Sequence, residues 1–578
     1  MSRIIVTMIK TTCSHYSSEY GDRYIGPSST RATIRRIVQR TIRHSPRVLI
    51  NTTTGRLHNK AEQASAFESL PIFNELVSSM TTRIDYVRIK REVRQYFRYV
   101  MLSHKWEDNE PLFQQVVHIA VYDLDPSPTH DKLQTFCKIV RNAGFDWAWS
   151  DTCCINKSDH FVLQEALVAM FKWYEGSAMM VVFLRGVHSA SQLGTLMGSI
   201  WNTRAWTLQE YFAAKVIHFY TEDWTLYMNL DIPNHKESPE IISEMEEATG
   251  VSARVLMALR PGSDDIREKL CLASRRETTI LEDAAYSLLG IFSMSLPVVY
   301  GEGDHALGRL LSQLLTSSGN TSILAWTGKV GSFNSCLPAH ITVFRERATS
   351  HFPPPIQEAE MERMIAAFRS SSFDLEVALR LYDRLNELPA SWFAASRLKL
   401  PCVTFKLPSF SSYRTPSGRV YRADTLAFGM VEIKTRYNLS GMNSLYLVHP
   451  WLDALLDRED MQSGALVEDN DVSPPSPNTD DEEIYEEIDD DSSSPPEPKS
   501  APLPAPTRMV PMDRETRARR LIARLRQPFG ALLVTLASTG RRAVDYKRVA
   551  ADSMITVQFQ ESVSLADLLD NVRTIDVL

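Results

Sequence analysis

The stretch YVMLSHKWEDNE, beginning at Tyr99, passes from apolar and aromatic residues to Ser103, His104, Lys105, Glu107, Asp108 and Glu110 within one step. A second such passage ends FDWAWSD at Asp151, and Cys153, Cys154, Ile155 and Asn156 follow it. A hydroxyl, an imidazole and a carboxylate at strand ends can hydrogen-bond a ligand or move a proton. The thiol of Cys154 adds a second chemistry, because Cys154, His104 and Asp151 are the side-chain types of a thiol hydrolase. Zinc fits poorly: Cys153 and Cys154 are adjacent, whereas zinc ligands usually stand about two to four residues apart, and no metal site is expected. Each residue also has a plain structural reading. His104 can bond a neighbouring carbonyl, Asp151 can cap a loop or pair with Arg204, and the two cysteines can be small buried hydrophobes. Lys105, Asn109 and Glu110 read as loop surface.

Four apolar runs would position these residues: YVMLS, FDWAWSD, AMMVVFL at Ala178–Leu184 and KVIHFY at Lys215–Tyr220. Runs apolar on both faces fit strands covered on both sides by helices. Leu163, Ala166, Leu167, Met170 and Tyr174 recur at helical spacing between the second and third. The alternation predicts an α/β domain with a mostly parallel sheet flanked by helices. Ligands bind such sheets beyond the carboxyl ends of the strands, where Ser103, His104 and Asp151 would lie.

Residues 239–318 read as helical. Ala284, Ala285, Leu288, Leu289 and Phe292 share one face, as do Ala306, Leu307, Leu310, Leu311, Leu314 and Leu315. GEGDHALG lacks the Lys-Ser/Thr pair of a phosphate loop, so it reads as a turn and helix start. Beyond it, a helical stretch near 356–388 and β-like runs such as KLPCVTFKLP predict a C-terminal α+β module over 329–460.

The net charge of −7 conceals a strong asymmetry. Residues 1–60 carry eleven Lys/Arg and two acids, and residues 468–497 carry thirteen Asp/Glu with no Lys or Arg. Residues 1–46 read as a basic, disordered extension, with a mitochondrial targeting segment as the minor reading. Residues 461–508 read as an acidic Ser/Pro-rich disordered linker. Residues 509–578 form a separate segment opening with a basic, helix-prone stretch, Arg514–Gln527. That stretch suits a solvated surface helix or one that binds the acidic tract, an acidic partner or a membrane surface. Seven cysteines, an odd and sparse set, suit a reducing compartment. No run approaches the ~18–20 apolar residues of a membrane span.

Taken in order, RVLINTTTGRL, YVMLSHKWEDNE, WAWSDTCCINKSDHF, RAWTLQEYFAAKVIHFYTEDW and EDAAYSLLGIFSMSLPVVYGEGDHALGRL resemble the blocks of the fungal heterokaryon-incompatibility (HET) domain in its basidiomycete form. The resemblance covers about 47–328, divided as the domain proper, 47–235, and a helical extension, 236–328. It departs from the family pattern at Glu107, where Gly is usual. The HET domain in turn resembles TIR domains, which implies a TIR-like, flavodoxin-like sheet.

The family resemblance implies a role in non-self recognition and programmed cell death. The TIR resemblance implies NAD hydrolysis at the nicotinamide–ribose bond, with NAD as substrate and no cofactor. The Glu of WTLQEY carries over as the catalytic residue, Glu210. Cleavage of that bond passes through an oxocarbenium-like state that a carboxylate can stabilise. Ser103, His104, Asp151 and Asn156 are the other binding candidates, with Trp106 and Trp206 available to stack on a flat ring or simply to pack. Glu210 has its own structural reading, favouring the positive end of a helix. The alternative function is a non-catalytic module that self-associates and recruits signalling proteins. Nucleic acid is not expected as a partner, and the expected location is cytoplasmic.

Overall fold

The computed structural model describes residues 26–189, 193–345, 358–370, 374–416, 418–442, 444–451, 513–537, 544–560 and 563–578. They fall into two compact units. One holds the described residues of 1–318 and 322–348; the other holds 319–321 and those of 349–578. The linker expected at 461–508 lies outside the described residues, as do residues 1–25.

The first unit is built on a six-stranded sheet. Its strands are β1 (Val48–Asn51), β2 (Leu57–Asn59), β3 (Tyr99–His104), β4 (Trp147–Trp149), β5 (Met179–Leu184) and β6 (Ile217–Thr221). Their order is β2-β1-β4-β3-β5-β6. The four apolar runs are β3 to β6, and all their mutual pairings are parallel. β3 and β5 are buried at every residue, as strands covered on both faces must be. Among these four, the first strand lies between the second and the third, the order of a doubly wound sheet. β1 and β2 add an antiparallel hairpin at the β4 edge. The sequence reading did not resolve this hairpin, because strands of four and three residues are too short to show a period.

The connections put the helix Pro128–Asn142 on one face, where Lys132 lies over the Phe183 ring. They put the helices His160–Gly176 and Trp206–Ala213 together on the other, where the Gln209 amide donates to Met170 Sδ. In the helical extension, the stripe from Ala306 to Leu315 is buried along the helix His305–Ser318. Gly290 is required there, because a Cβ at that position would sit 2.2 Å from Phe171 Cβ.

The reading of 1–46 as disordered fails for Pro27–Ile42. Pro27–Ile42 is a helix, and Ile34, Ile37, Val38 and Ile42 bury against Phe67, Phe73, Leu76, Ile89, Val93 and Phe97. The apolar stripe has helical spacing but is interrupted by arginines on the exposed side, which made the segment read as a charged arm.

The second unit joins what the sequence reading kept apart. Its strands are β7 (Trp392–Ala394), β8 (Arg397–Lys406), β9 (Phe410–Thr415), β10 (Gly418–Thr425), β11 (Gly429–Lys434), β12 (Leu445–Pro450), β13 (Phe529–Leu536), β14 (Asp545–Arg548), β15 (Ile555–Val557) and β16 (Val572–Val577). The pairings run β12-β13-β14-β16-β8 and return to β12, closing the sheet on itself, with β7 and β15 attached. Residues 513–578 are therefore part of the C-terminal module and not a segment of their own. The basic stretch is a helix, Arg514–Leu525, but it is neither solvated nor a free binding helix. Ala518, Leu521, Ile522 and Leu525 enter the core, while Arg514 pairs with Asp383 and Arg520 with Glu358.

Replacing fully buried Ile34 by Ala should cost about 2–5 kcal/mol in urea unfolding of the full chain. Exposed Arg36→Ala should cost no more than about 0.5 kcal/mol. Equal, negligible effects would mean that the N-terminal helix is not part of the folded core.

Candidate functional site

The carboxyl end of β3 gathers most of the expected residues. Successive side chains of a strand point to opposite faces, so Ser103 and His104 serve two different sides of the sheet. On one side the Ser103 hydroxyl donates to the Glu210 carboxylate, which the helix Trp206–Ala213 presents. Trp201 closes this side, its indole N–H donating to Ser103 Oγ at 2.6 Å. Ser103 is 1% exposed and Glu210 8%.

On the other side His104 faces Asp151, the residue two positions beyond β4. His104 Nε2 stands 3.4 Å from Asp151 Oδ1. That is ion-pair distance without hydrogen-bond alignment: both ring nitrogens and Oδ1 are buried with no hydrogen-bond partner among the described residues. Oδ2 instead accepts from the Trp106 indole N–H at 2.7 Å. The Lys157 ammonium lies over the Trp106 ring, 3.2 Å from its centroid. Arg204 ties the two sides together. Its guanidinium donates to the His104 carbonyl at 2.5 Å, and its charge acts on both carboxylates.

These surroundings push the two carboxylates apart. Burial raises Glu210, the Ser103 hydrogen bond only partly offsets it, Asp151 raises it further, and the result is about 7. Burial would raise Asp151 as well. The side-chain contact with His104, and then the charges of Lys157 and Arg204, outweigh it and hold Asp151 at about 2. The Asp151 side chain is 26% exposed, so solvent weakens these pairings without removing them. One group is thus poised to exchange a proton near neutrality while its neighbour stays ionised, the separation on which acid–base sites rely.

Two candidates stand elsewhere. Trp206, which opens the helix carrying Glu210, hydrogen-bonds Asp283. Asn156 Oδ1 accepts from the Gln114 amide at 2.9 Å and the Ser158 backbone N–H at 3.2 Å, joining two loops. Glu110 is not loop surface: it is 7% exposed and ion-paired with buried Lys132. Glu107 joins the same network, reaching Arg185 at 2.8 Å and Lys132 at 3.3 Å.

The thiol mechanism is poorly served. Burial and Cys153 push Cys154 well above the usual thiol range, which opposes thiolate formation. Its sulfur accepts from the Ser150 backbone N–H at 3.5 Å, while His104 faces Asp151. Cys153 and Cys154 are free thiols, and no group of three potential ligands among the described residues could hold a metal ion. The Gly-rich turn is also accounted for: Glu282 accepts from the backbone N–H groups of Gly301 and Gly303, so a carboxylate occupies the place an anion would take.

Sequence reasoning did not find Trp201, Tyr174 or Lys157 as members of the site. The Tyr174 hydroxyl hydrogen-bonds the Leu102 carbonyl at 3.3 Å and also acts on Glu210, yet Tyr174 read as one member of an apolar stripe. Arg204 was legible only as a partner for Asp151.

Residues 99–197 match the family model described as heterokaryon incompatibility protein (HET). The matched span contains Ser103, His104, Trp106, Asp151 and Asn156 and ends before Arg204 and Glu210. The chain is also 31% identical over 231 residues to the vegetative incompatibility protein HET-E-1 of Podospora anserina. That match covers 37% of this chain and 16% of the relative, so the chain spans a small part of that protein's length. No solved structure matches the chain.

Glu210 provides a pH test. An acid whose folded pKa is raised is stabilising in its protonated form, so stability falls as pH climbs from about 4.5 through about 7. At about 1.4 kcal/mol per pKa unit, the loss is on the order of 3 kcal/mol. Glu210→Gln keeps an acceptor for Ser103 and removes the titration. Urea midpoints at about pH 5 and about pH 8 should therefore converge in the variant relative to wild type; an unchanged difference would mean that Glu210 does not titrate in this range.

Proposed function

We propose that this chain acts in heterokaryon incompatibility, as a non-self recognition protein whose HET segment signals cell death by hydrolysing NAD. The family match over 99–197 and the likeness to a vegetative incompatibility protein support the biological role. The TIR-like reading draws support from the order of β3 to β6 and from a glutamate on the helix between β5 and β6.

The observation that carries the chemical reading is a poised carboxylate, Glu210, on one side of the end of β3 and, on the other side, a buried imidazole whose two nitrogens have no hydrogen-bond partner among the described residues. Buried polar groups left unpaired are costly, and ligand hydroxyls would relieve the cost here. In the reaction, water adds to the ribose carbon as its bond to the nicotinamide nitrogen breaks. The products are nicotinamide and ADP-ribose, with one proton released. Ionised Glu210 would hold the ribose hydroxyls in place of Ser103 Oγ and stabilise the developing positive charge. His104 would donate to ribose or phosphate oxygens. Nicotinamide departs as a neutral molecule from a cationic ring, so little acid assistance is needed.

A second reading has its own observation. Ser103, Glu210 and Trp201 already satisfy one another in a nearly closed interior, which suits a non-catalytic module that self-associates and recruits signalling proteins. Among the described residues no helix is long and apolar enough to cross a membrane.

Purified full-length protein incubated with NAD, dilute and under crowding, should release nicotinamide. The rate should rise with pH through about 7 as Glu210 ionises, and Glu210→Ala should lower it by about a hundredfold or more. No release under either condition would favour the interaction module. Release unaffected by Glu210→Ala would remove Glu210 from the mechanism.

A further inference from the structure

The second unit carries an arginine arrangement that its fold does not use. β9, β10 and β11 form a three-stranded antiparallel sheet. On its outer face Arg422 stands directly across from Glu432 and pairs with it at 2.5 Å. On the face that carries buried Tyr421 and Ile433, Arg414 stands directly across from Arg419. Like charges at directly opposed positions destabilise a sheet. Neither arginine has an ion-pair or hydrogen-bond partner from its side chain among the described residues. A third, Arg436, gives one nitrogen to Asp552 at 3.1 Å and is otherwise exposed.

The three arginines line a cleft of about 460 Å³, with Tyr421, Thr435 and Tyr437 among the other walls and no acidic residue in its lining. That volume lies in the range of small-molecule sites. Guanidinium groups bind phosphate oxygens through paired N–H donors, and three of them around one cleft exceed what a single monoanion requires.

The geometry points to a binding site in this cleft for a ligand bearing two linked or neighbouring phosphates. The ligand is either a free diphosphate-containing metabolite or the headgroup of a bisphosphorylated lipid. The assignment is independent of the NAD reading, since none of its residues belongs to the unit that carries Glu210. It accounts for the like-charged pair: the repulsion is tolerated because a dianion offsets it on binding.

The test is titration calorimetry of the full chain with inorganic pyrophosphate. A parallel arm measures sedimentation with phosphatidylcholine vesicles, with and without a bisphosphorylated inositol lipid. Saturable binding of pyrophosphate at one site is expected for a free ligand, and binding to the phosphoinositide vesicles alone for a lipid headgroup. Either supports the site, provided that the Arg414→Gln/Arg419→Gln double variant binds at least tenfold more weakly and Arg422→Gln does not. Without ligand the double variant should melt at the same or a higher temperature than wild type, since it loses a repulsion; a loss of affinity accompanied by a lower melting temperature would count against the site. No binding in either arm, or binding unchanged in the double variant, overturns the proposal. So does pyrophosphate binding that emerges only when the acidic residues of 468–497 are neutralised, because this chain's own acidic stretch would then be the occupant.

Discussion

The reversal of strand order about β3 is the constraint on which the first unit depends. β3 is flanked by β4 and β5, and the connections to them leave on opposite faces of the sheet. Neither connection can cover the carboxyl end of the central strand, so a crevice is forced there. Ser103 and His104 occupy it because the strand ends on them. Asp151 follows β4, and Glu210 comes from the connection between β5 and β6. Chemistry contributed by residues 107 positions apart is brought to hydrogen-bond range by this topology alone.

The electrostatics follow from the same geometry. Glu210 sits on the side sealed by Trp201 and helix packing, where desolvation dominates. Asp151 sits at the partly open rim, where the side-chain contact with His104 and the charges of Lys157 and Arg204 outweigh desolvation. Two carboxylates a short distance apart therefore differ in their readiness to hold a proton. Arg204 bridges them through the carbonyl of His104, so the position of one guanidinium conditions both. The Glu107–Lys132–Glu110 network performs a comparable service for the loop that follows β3. Its charges are buried, and buried ion pairs of this kind fix a conformation more than they add stability.

The second unit shows the same dependence on distant pairing. β12 and β13 are separated by the long acidic stretch, yet they are neighbours in a closed sheet. Closure leaves fewer exposed strand edges. It also explains how a helix as basic as Arg514–Leu525 becomes a core element. Its apolar face lies against the module, and Asp383 and Glu358 meet its arginines. Charge count along the helix suggested a surface element, because local composition carries no information about acidic residues more than a hundred positions away.

By itself, the sequence determined the four parallel strands, the helices between them and the stripes from Ala166 to Tyr174 and from Ala306 to Leu315. Apolar periodicity is a local property that survives in a one-dimensional reading. It also determined that Ser103, His104 and Asp151 lie at strand ends. Tertiary structure alone decided that Ser103 bonds Glu210 while His104 faces Asp151, that Trp206 turns to Asp283, and that Pro27–Ile42 and Arg514–Leu525 are core helices. It alone placed Arg414 across from Arg419. Those outcomes depend on register, crossover direction and desolvation, which arise only when segments far apart in the chain share the same few ångströms.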